Sequence, residues 1–217
     1  MKKLSSLLVF IFCLIPFLSD AWILRDEFNT ALSAGSVHNT TSEPSGHTRT
    51  VTDTENKISI ADGKLTFSGG KASPAAGDPA IWYPAIDRVA GRMLMLDYAA
   101  SSQLYSYFGW DNDQTTFTGA HTFGMTADKI YFSVENSGYI YPYTNDSSYK
   151  LSSILRANGQ FAFLSENNAP WRLLWMNASS NLTPLYPIVS NHSSVFTSSF
   201  LRIPTTLWLP TPLASDG

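Results

Sequence analysis

Lys57-Ile58-Ser59-Ile60-Ala61-Asp62-Gly63-Lys64-Leu65-Thr66-Phe67 is the stretch from which the fold is read. Ile58 and Ile60 stand two apart, as do Leu65 and Phe67, and Asp62-Gly63 between them supplies the positive φ angles of a tight hairpin turn. Period two, a turn, and period two again describe an antiparallel ribbon with one apolar face. The pattern returns at Tyr149–Arg156 and Gln160–Leu164, with Asn158-Gly159 expected at the turn. Outward from these hairpins, runs rich in β-branched and aromatic residues predict strands at 48–52, 80–83, 92–98, 103–110, 129–135 and 171–176. Ile130, Phe132 and Val134 alternate against Tyr131, Ser133 and Glu135, which buries one face and leaves the other half wet. In 183–189, Pro184 and Pro187 predict an edge strand or a loop. No run carries a helical period, and no repeat of fixed length is present.

Between the strands, Asn29–Gly46 reads as a long polar loop, and Ser68–Pro79 holds too many Gly and Pro residues for a central strand. Trp22–Phe28 and Phe196–Ile203 are matching strands at the two ends, expected to lie side by side. The class is therefore all-β: one antiparallel two-sheet sandwich spanning residues 22–203.

The first 21 residues read as a secretory signal. Lys2 and Lys3 precede an apolar run from Leu4 to Leu18, and Ser19-Asp20-Ala21 provides small residues for cleavage. That run falls short of the roughly 20 residues needed to span a bilayer. Cys13, the only cysteine, lies inside the run, so the exported chain has no disulfide and depends on packing and sheet hydrogen bonds. The net charge is −3, or −4 once Lys2, Lys3 and Asp20 are removed. No basic cluster follows the signal, which excludes nucleic acid as a partner. Residues 204–217, with Pro204, Pro210 and Pro212, read as a semi-rigid linker or the start of a further region.

Arg25-Asp26-Glu27-Phe28, the Ile58–Phe67 hairpin, Tyr149–Leu164 and Phe200-Leu201-Arg202-Ile203 together resemble the concanavalin A-like lectin/glucanase superfamily. The likeness is to the laminin G-like jelly-roll modules of bacterial surface and phage-associated proteins. It implies two stacked curved sheets, with any ligand on the concave face or the rim loops. Fold alone does not give function. Retaining glycosidases of that superfamily place acidic residues in a Glu-x-Asp-x-Glu or Glu-x-Asp-x-x-Glu pattern, because two carboxyls about 5 Å apart serve as nucleophile and acid/base. This sequence has no such pattern, no Gly-x-Ser-x-Gly elbow, and histidines (His38, His47, His121 and His192) without metal-ligand spacing.

Aromatic residues beside carboxylates are the stronger functional sign. Sugar rings stack their C–H faces on Trp and Tyr while polar neighbours orient the hydroxyls. On that ground Trp82, Tyr83, Tyr107 and Trp110, with Asp111 and Asp113, form the expected carbohydrate-binding set, and Tyr139, Tyr141 and Tyr143 form a further alternating group. The bland alternative is packing: alternation puts Ser106, Phe108 and Trp110 on one face and Tyr105 and Tyr107 on the other. Asp111-Asn112-Asp113, with Asp26 or Asp78, would suit calcium if any metal were bound. The triplet lacks the Gly and terminal Glu of a dedicated loop, so no cofactor is assigned. Asn39, Asn145, Asn177, Asn181 and Asn191 begin Asn-x-Ser/Thr triplets, expected to be unmodified behind a bacterial-looking signal. The expectation is a non-catalytic extracellular glycan-binding or adhesion module. A structural module that packs on itself or on neighbouring domains is the second reading, and a glycoside hydrolase or lyase with an unfamiliar acidic constellation is the third.

Overall fold

The computed structural model describes residues 22–70, 78–102, 105–114, 121–134, 140–144, 147–178 and 185–205. Among them are sixteen strands in chain order: β1 (Trp22–Asp26), β2 (Thr50–Thr52), β3 (Ile58–Ala61), β4 (Lys64–Ser68), β5 (Ala80–Trp82), β6 (Met93–Ser102), β7 (Ser106–Asp111), β8 (His121–Met125), β9 (Lys129–Val134), β10 (Ile140–Pro142), β11 (Tyr149–Arg156), β12 (Gly159–Glu166), β13 (Arg172–Ala178), β14 (Tyr186–Asn191), β15 (Val195–Ser198) and β16 (Leu201–Pro204). Residues 1–21, expected to be a signal, and the tail beyond Thr205 lie outside the described residues.

Two antiparallel sheets face each other as a jelly-roll sandwich. One runs β13-β12-β11-β6-β15-β4-β3, with β16 also on β6 and β1 on β16; the other runs β10-β9-β8-β7-β14-β5-β2. The first and last strands pair as expected, Leu24 opposite Ile203 and Asp26 opposite Leu201. The closing stretch, however, is two strands rather than one. Asp97 accepts hydrogen bonds from Ser198 Oγ (2.9 Å), Ser199 N (2.7 Å) and Phe200 N (3.0 Å), and this turn moves the chain from β4 over to β1. Along the ten-residue β6, β15 therefore pairs with one part and β16 with another.

The leading hairpin is as its sequence predicts. Asp62 and Gly63 adopt φ values of 51° and 69°, and Ile58, Ile60, Leu65 and Phe67 are buried. In the second hairpin, Arg156 pairs with Gly159, so the two-residue turn is Ala157-Asn158 and Gly159 already belongs to β12. Of the stretch 183–189, Thr183 and Pro184 lie outside the described residues, and for the rest the expectation fails: β14 lies in the interior of its sheet, between β7 and β5. Pro187 is tolerated because its nitrogen and carbonyl face the β5 side beyond Trp82, where that strand has ended. There the carbonyl accepts Tyr83 N at 3.0 Å, and no ladder bond needs the missing N–H.

The core fills the space between the sheets. Phe108, Trp110, Phe123, Ile130 and Phe132 come from one side, and Phe67, Leu94, Leu96, Tyr98 and Leu151 from the other. Burying side chains of this size contributes about 1.5–3 kcal/mol each. Polar groups tie the layers where they meet: Trp110 Nε1 donates to Ser153 Oγ (3.1 Å), and the Tyr98 hydroxyl bonds Ser106 Oγ (2.8 Å). A charged group is also enclosed. Arg49 donates to Asp26 through Nε and Nη2, both at 2.7 Å, the Tyr83 hydroxyl donates to the same carboxylate at 2.8 Å, and all three residues are buried.

Candidate functional site

The structure separates the expected site residues. Tyr83 points into the core onto Asp26, and Trp110 is core with its indole N–H satisfied by Ser153. Trp82 lies on the opposite face of its sheet but is buried with Ala80 and Ile188, Tyr186 packing against them. Its Nε1 donates to Asp111 at 3.4 Å. Asp111 is not at a loop start; it is the last residue of β7, buried, and accepts the backbone N–H of Asn112 at 2.9 Å. None of these four is open to a sugar ring. Asp113 is half-exposed beyond the strand end, and Tyr107 alone of the six stands half-buried on the outward face of β7. The reason is one alternation carried across neighbouring strands. Ile81, Phe108, Trp110 and Val189 share the core side, which sends Trp82, Tyr107 and Asp111 the other way.

On that outward face, register brings different residues together. Tyr107 on β7, Gly124 on β8 and Tyr131 on β9 are directly opposite one another. A methyl group on Gly124 would lie 2.1 Å from Tyr131 Cζ, so the absent side chain is what lets the phenol ring lie over β8. The two hydroxyls are hydrogen-bonded; burial first, then proximity to Tyr131, pushes the Tyr107 phenol well up, and burial pushes the Tyr131 phenol up as well. Both hydroxyls therefore stay protonated through the physiological range.

The rim beside this pair is built by the end of β14. His192 Nδ1 bonds Asp78 at 3.0 Å (Oδ1) and 3.2 Å (Oδ2), and its ring meets Tyr105 edge-on, with centroids 5.8 Å apart at 80°. The Tyr105 carbonyl accepts the His192 and Ser193 N–H groups (2.9 and 3.2 Å). Asn191 closes the turn, donating to Gly69 O and Ser194 O and accepting Ser194 N, with its side chain fully used. Gly70 passes so close that a Cβ would fall 1.5 Å from His192 O. Yet the rings on top remain open: Tyr105 is 46% exposed and the His192 side chain 43%.

Alternation in 129–135 had already marked Tyr131 as outward, and alternation in 103–110 had done so for Tyr105 and Tyr107. Their meeting with Asp78 and His192, far apart in sequence, carries no local signal. Of the other tyrosines, Tyr139 lies outside the described residues. Tyr141 and Tyr149 donate to the two oxygens of Glu166 (3.1 and 3.2 Å), and buried Tyr143 packs on Tyr149 at 5.3 Å, which pins β10 to the opposite sheet. Among the described residues no three metal-ligating side chains converge. Asp26, Asp78 and Asp111 stand in three separate settings.

No protein-family model matches the sequence, and no curated protein does. Solved structures do match in fold. One, described with endo-acting O-glycanases from members of the human gut microbiota that initiate mucin breakdown, superposes with TM-score 0.55 at 7% identity over 84% of this chain and 98% of that one. The chain shares that sandwich. A non-specific endo-β-1,3(4)-glucanase of family GH16 aligns with TM-score 0.54 at 10% identity, over 85% of this chain and 94% of that one. A GH43 protein from Bacillus licheniformis gives TM-score 0.56 at 7% identity, with 84% of this chain matching 39% of its length. At such identities the likeness establishes the fold alone.

Proposed function

We propose that this chain is an exported, non-catalytic glycan-recognition module of a surface protein, and that it binds on the outward face of the β7–β8–β9 sheet. The observation that carries this reading is Tyr131 laid over Gly124, its hydroxyl bonded to that of Tyr107 from the far side of β8, with exposed Tyr105 beside them. The Tyr131 ring lying over β8, with half-wet Tyr107 next to it, offers a stacking surface for the C–H face of a pyranose, and the protonated hydroxyls can both donate and accept. Solved sandwiches of this fold include proteins described as glycanases, which supports a saccharide as the ligand.

Hydrolysis is the weaker reading because it needs two carboxyls facing one sugar bond. Among the described residues around this face, Asp111 is buried under Trp82, and Asp78 holds His192. The assembly reading rests on a different place, the outer side of the other sheet. There a hollow of about 510 Å³ is lined by Ile154, Leu155, Phe161 and Phe163, and Leu173 and Met176 on β13 are 52% and 55% exposed.

The test is a glycan array probed with the purified protein and with Tyr107→Ala and Tyr131→Ala, using circular dichroism to confirm folding. Selective binding that both substitutions reduce tenfold or more, about 1.4 kcal/mol, supports the reading. Silence across a broad array, or binding indifferent to both, rejects it.

A further inference from the structure

We propose that His192, with its tautomer set by Asp78, selects what this face binds: a neutral saccharide that donates a hydroxyl to the imidazole Nε2, with uronic and sulfated sugars turned away. This rests on the glycan reading above.

The imidazole is held from several directions. An ionised carboxylate only accepts hydrogen bonds, so Asp78 at 3.0 and 3.2 Å requires the proton on Nδ1. In an uncharged ring that leaves Nε2 as a lone-pair acceptor. The edge-on Tyr105 ring, the bond from His192 N to Tyr105 O and the Asn191 turn fix its orientation. With 43% of the side chain exposed, the ring is open to solvent on the rim beside the Tyr107–Tyr131 pair. A fixed acceptor next to a stacking surface matches the two demands of a sugar ring, an apolar face and directed hydroxyls. Asp78 here is a positioning residue, acting through His192.

Charge narrows the class. Asp78 stands at the rim, and its field reaches the Tyr107 phenol, adding to the upward push that burial begins. Asp128 sits in the β8–β9 turn at the same end of the sheet, where Thr126 Oγ1 donates to it at 3.0 Å. Lys129 starts β9 there, and the described arginines of strands β1, β11, β13 and β16 all belong to the other sheet. Among the described residues, a ligand carboxylate or sulfate on this face would meet Asp78 and no guanidinium, the fork that pairs two-pronged with such groups, and as a cation only the point charge of Lys129.

The experiment compares neutral oligosaccharides (cello-, laminari-, xylo- and galacto-oligosaccharides) with oligogalacturonates and sulfated galactans at neutral pH. It uses the unmodified protein, Asp78→Asn and His192→Ala, and adds ¹⁵N NMR of the histidine side chains. Expected are binding confined to neutral members, a tenfold or greater loss in His192→Ala, a partial loss in Asp78→Asn, and a His192 signal protonated at Nδ1. The NMR readout does not depend on either variant folding. Acidic sugars bound as well as neutral ones, an unchanged affinity in both variants, or a proton on Nε2 would overturn the assignment. If Tyr107→Ala still abolished binding, any of these results would leave the glycan reading standing. No binding by the unmodified protein would remove both.

Discussion

Asp26 with Arg49 and Tyr83, and Asp78 with His192 and Tyr105, draw on the same ingredients: a carboxylate, a nitrogen base and a phenol. The first set is enclosed between the sheets. Asp26 takes two guanidinium bonds, the Tyr83 hydroxyl and the Phe28 N–H, leaving no capacity for a ligand. The second stands on a rim, with its ring nitrogens shared between one internal bond and solvent. Residue type therefore does not distinguish scaffold from site here. Burial and saturation do. A buried pair that loses one member leaves a charge stranded, whereas a wet pair that loses one member leaves a group that water can solvate.

The largest expected effect breaks the comparison at its buried end. Asp26→Ala strands Arg49 and should lower unfolding free energy by about 3–5 kcal/mol, read from the urea midpoint. Asp78→Ala should stay within about 0.5 kcal/mol. Equal costs for the two substitutions would erase the distinction. Burial pushes the Tyr83 phenol far up, and the adjoining Asp26 carboxylate pushes it further, so Tyr83 stays protonated and the enclosed set does not open in mild alkali.

Next in size is Gly124→Ala. The added methyl cannot coexist with the Tyr131 ring where it lies, and the ring has to leave the platform. Overpacking of this kind costs about 1–3 kcal/mol of stability. Binding to whichever neutral oligosaccharide the array identifies should fall at least tenfold, about 1.4 kcal/mol. A variant that bound normally would show that Tyr131 takes no part.

Glu27 supplies an intermediate case, next to Asp26 but directed to the other side of the strand. Arg202 donates to it through Nε (2.6 Å) and Nη2 (2.5 Å), and Arg25 Nε at 2.8 Å, joining the first and last strands. Burial pushes its carboxyl up, but the hydrogen bonds from Arg202 and Arg25 outweigh that, and the net result is a lowered pKa. With the folded value below the unfolded one, its contribution is complete above the ordinary carboxylate range and is lost as pH falls through the lowered value. These groups are partly solvated, so the amount is about 0.5–1 kcal/mol. Glu27→Gln should remove that part of the acid dependence, and acid titrations of the two proteins that superimpose would refute it.

Much of the fold was legible because each hairpin carries its own evidence. Ile58, Ile60, Leu65 and Phe67 report their shared face locally, and an Asp-Gly turn joins them. Where the sequence misled, a distant partner had decided the outcome. Pro187 argued for an edge, yet β5 ends in time to need nothing from its nitrogen. Phe196–Ile203 read as one strand until Asp97, about a hundred residues away, bent it at Ser199. The site was less legible for the same reason. Trp82 and Trp110 have the composition of a sugar platform, and only the register of neighbouring strands shows that one is core and the other covered. Tyr107 survived that test because alternation alone placed it outward.

The smallest effect isolates what the tyrosine hydroxyls do. Tyr107→Phe keeps the ring, and so keeps the stacking surface, but removes the hydrogen bond to Tyr131. A neutral hydrogen bond on a half-wet face is worth about 0.5–1.5 kcal/mol, so stability should change little. If the hydroxyl pair only props the rings apart, sugar affinity should follow that small change. If instead the pair supplies the donor that completes the acceptor at His192, affinity should fall severalfold while the unfolding midpoint barely moves. The contrast between Tyr107→Phe and Tyr107→Ala thus separates the stacking contribution from the directional one. An alanine variant no worse than the phenylalanine variant would remove stacking from the account.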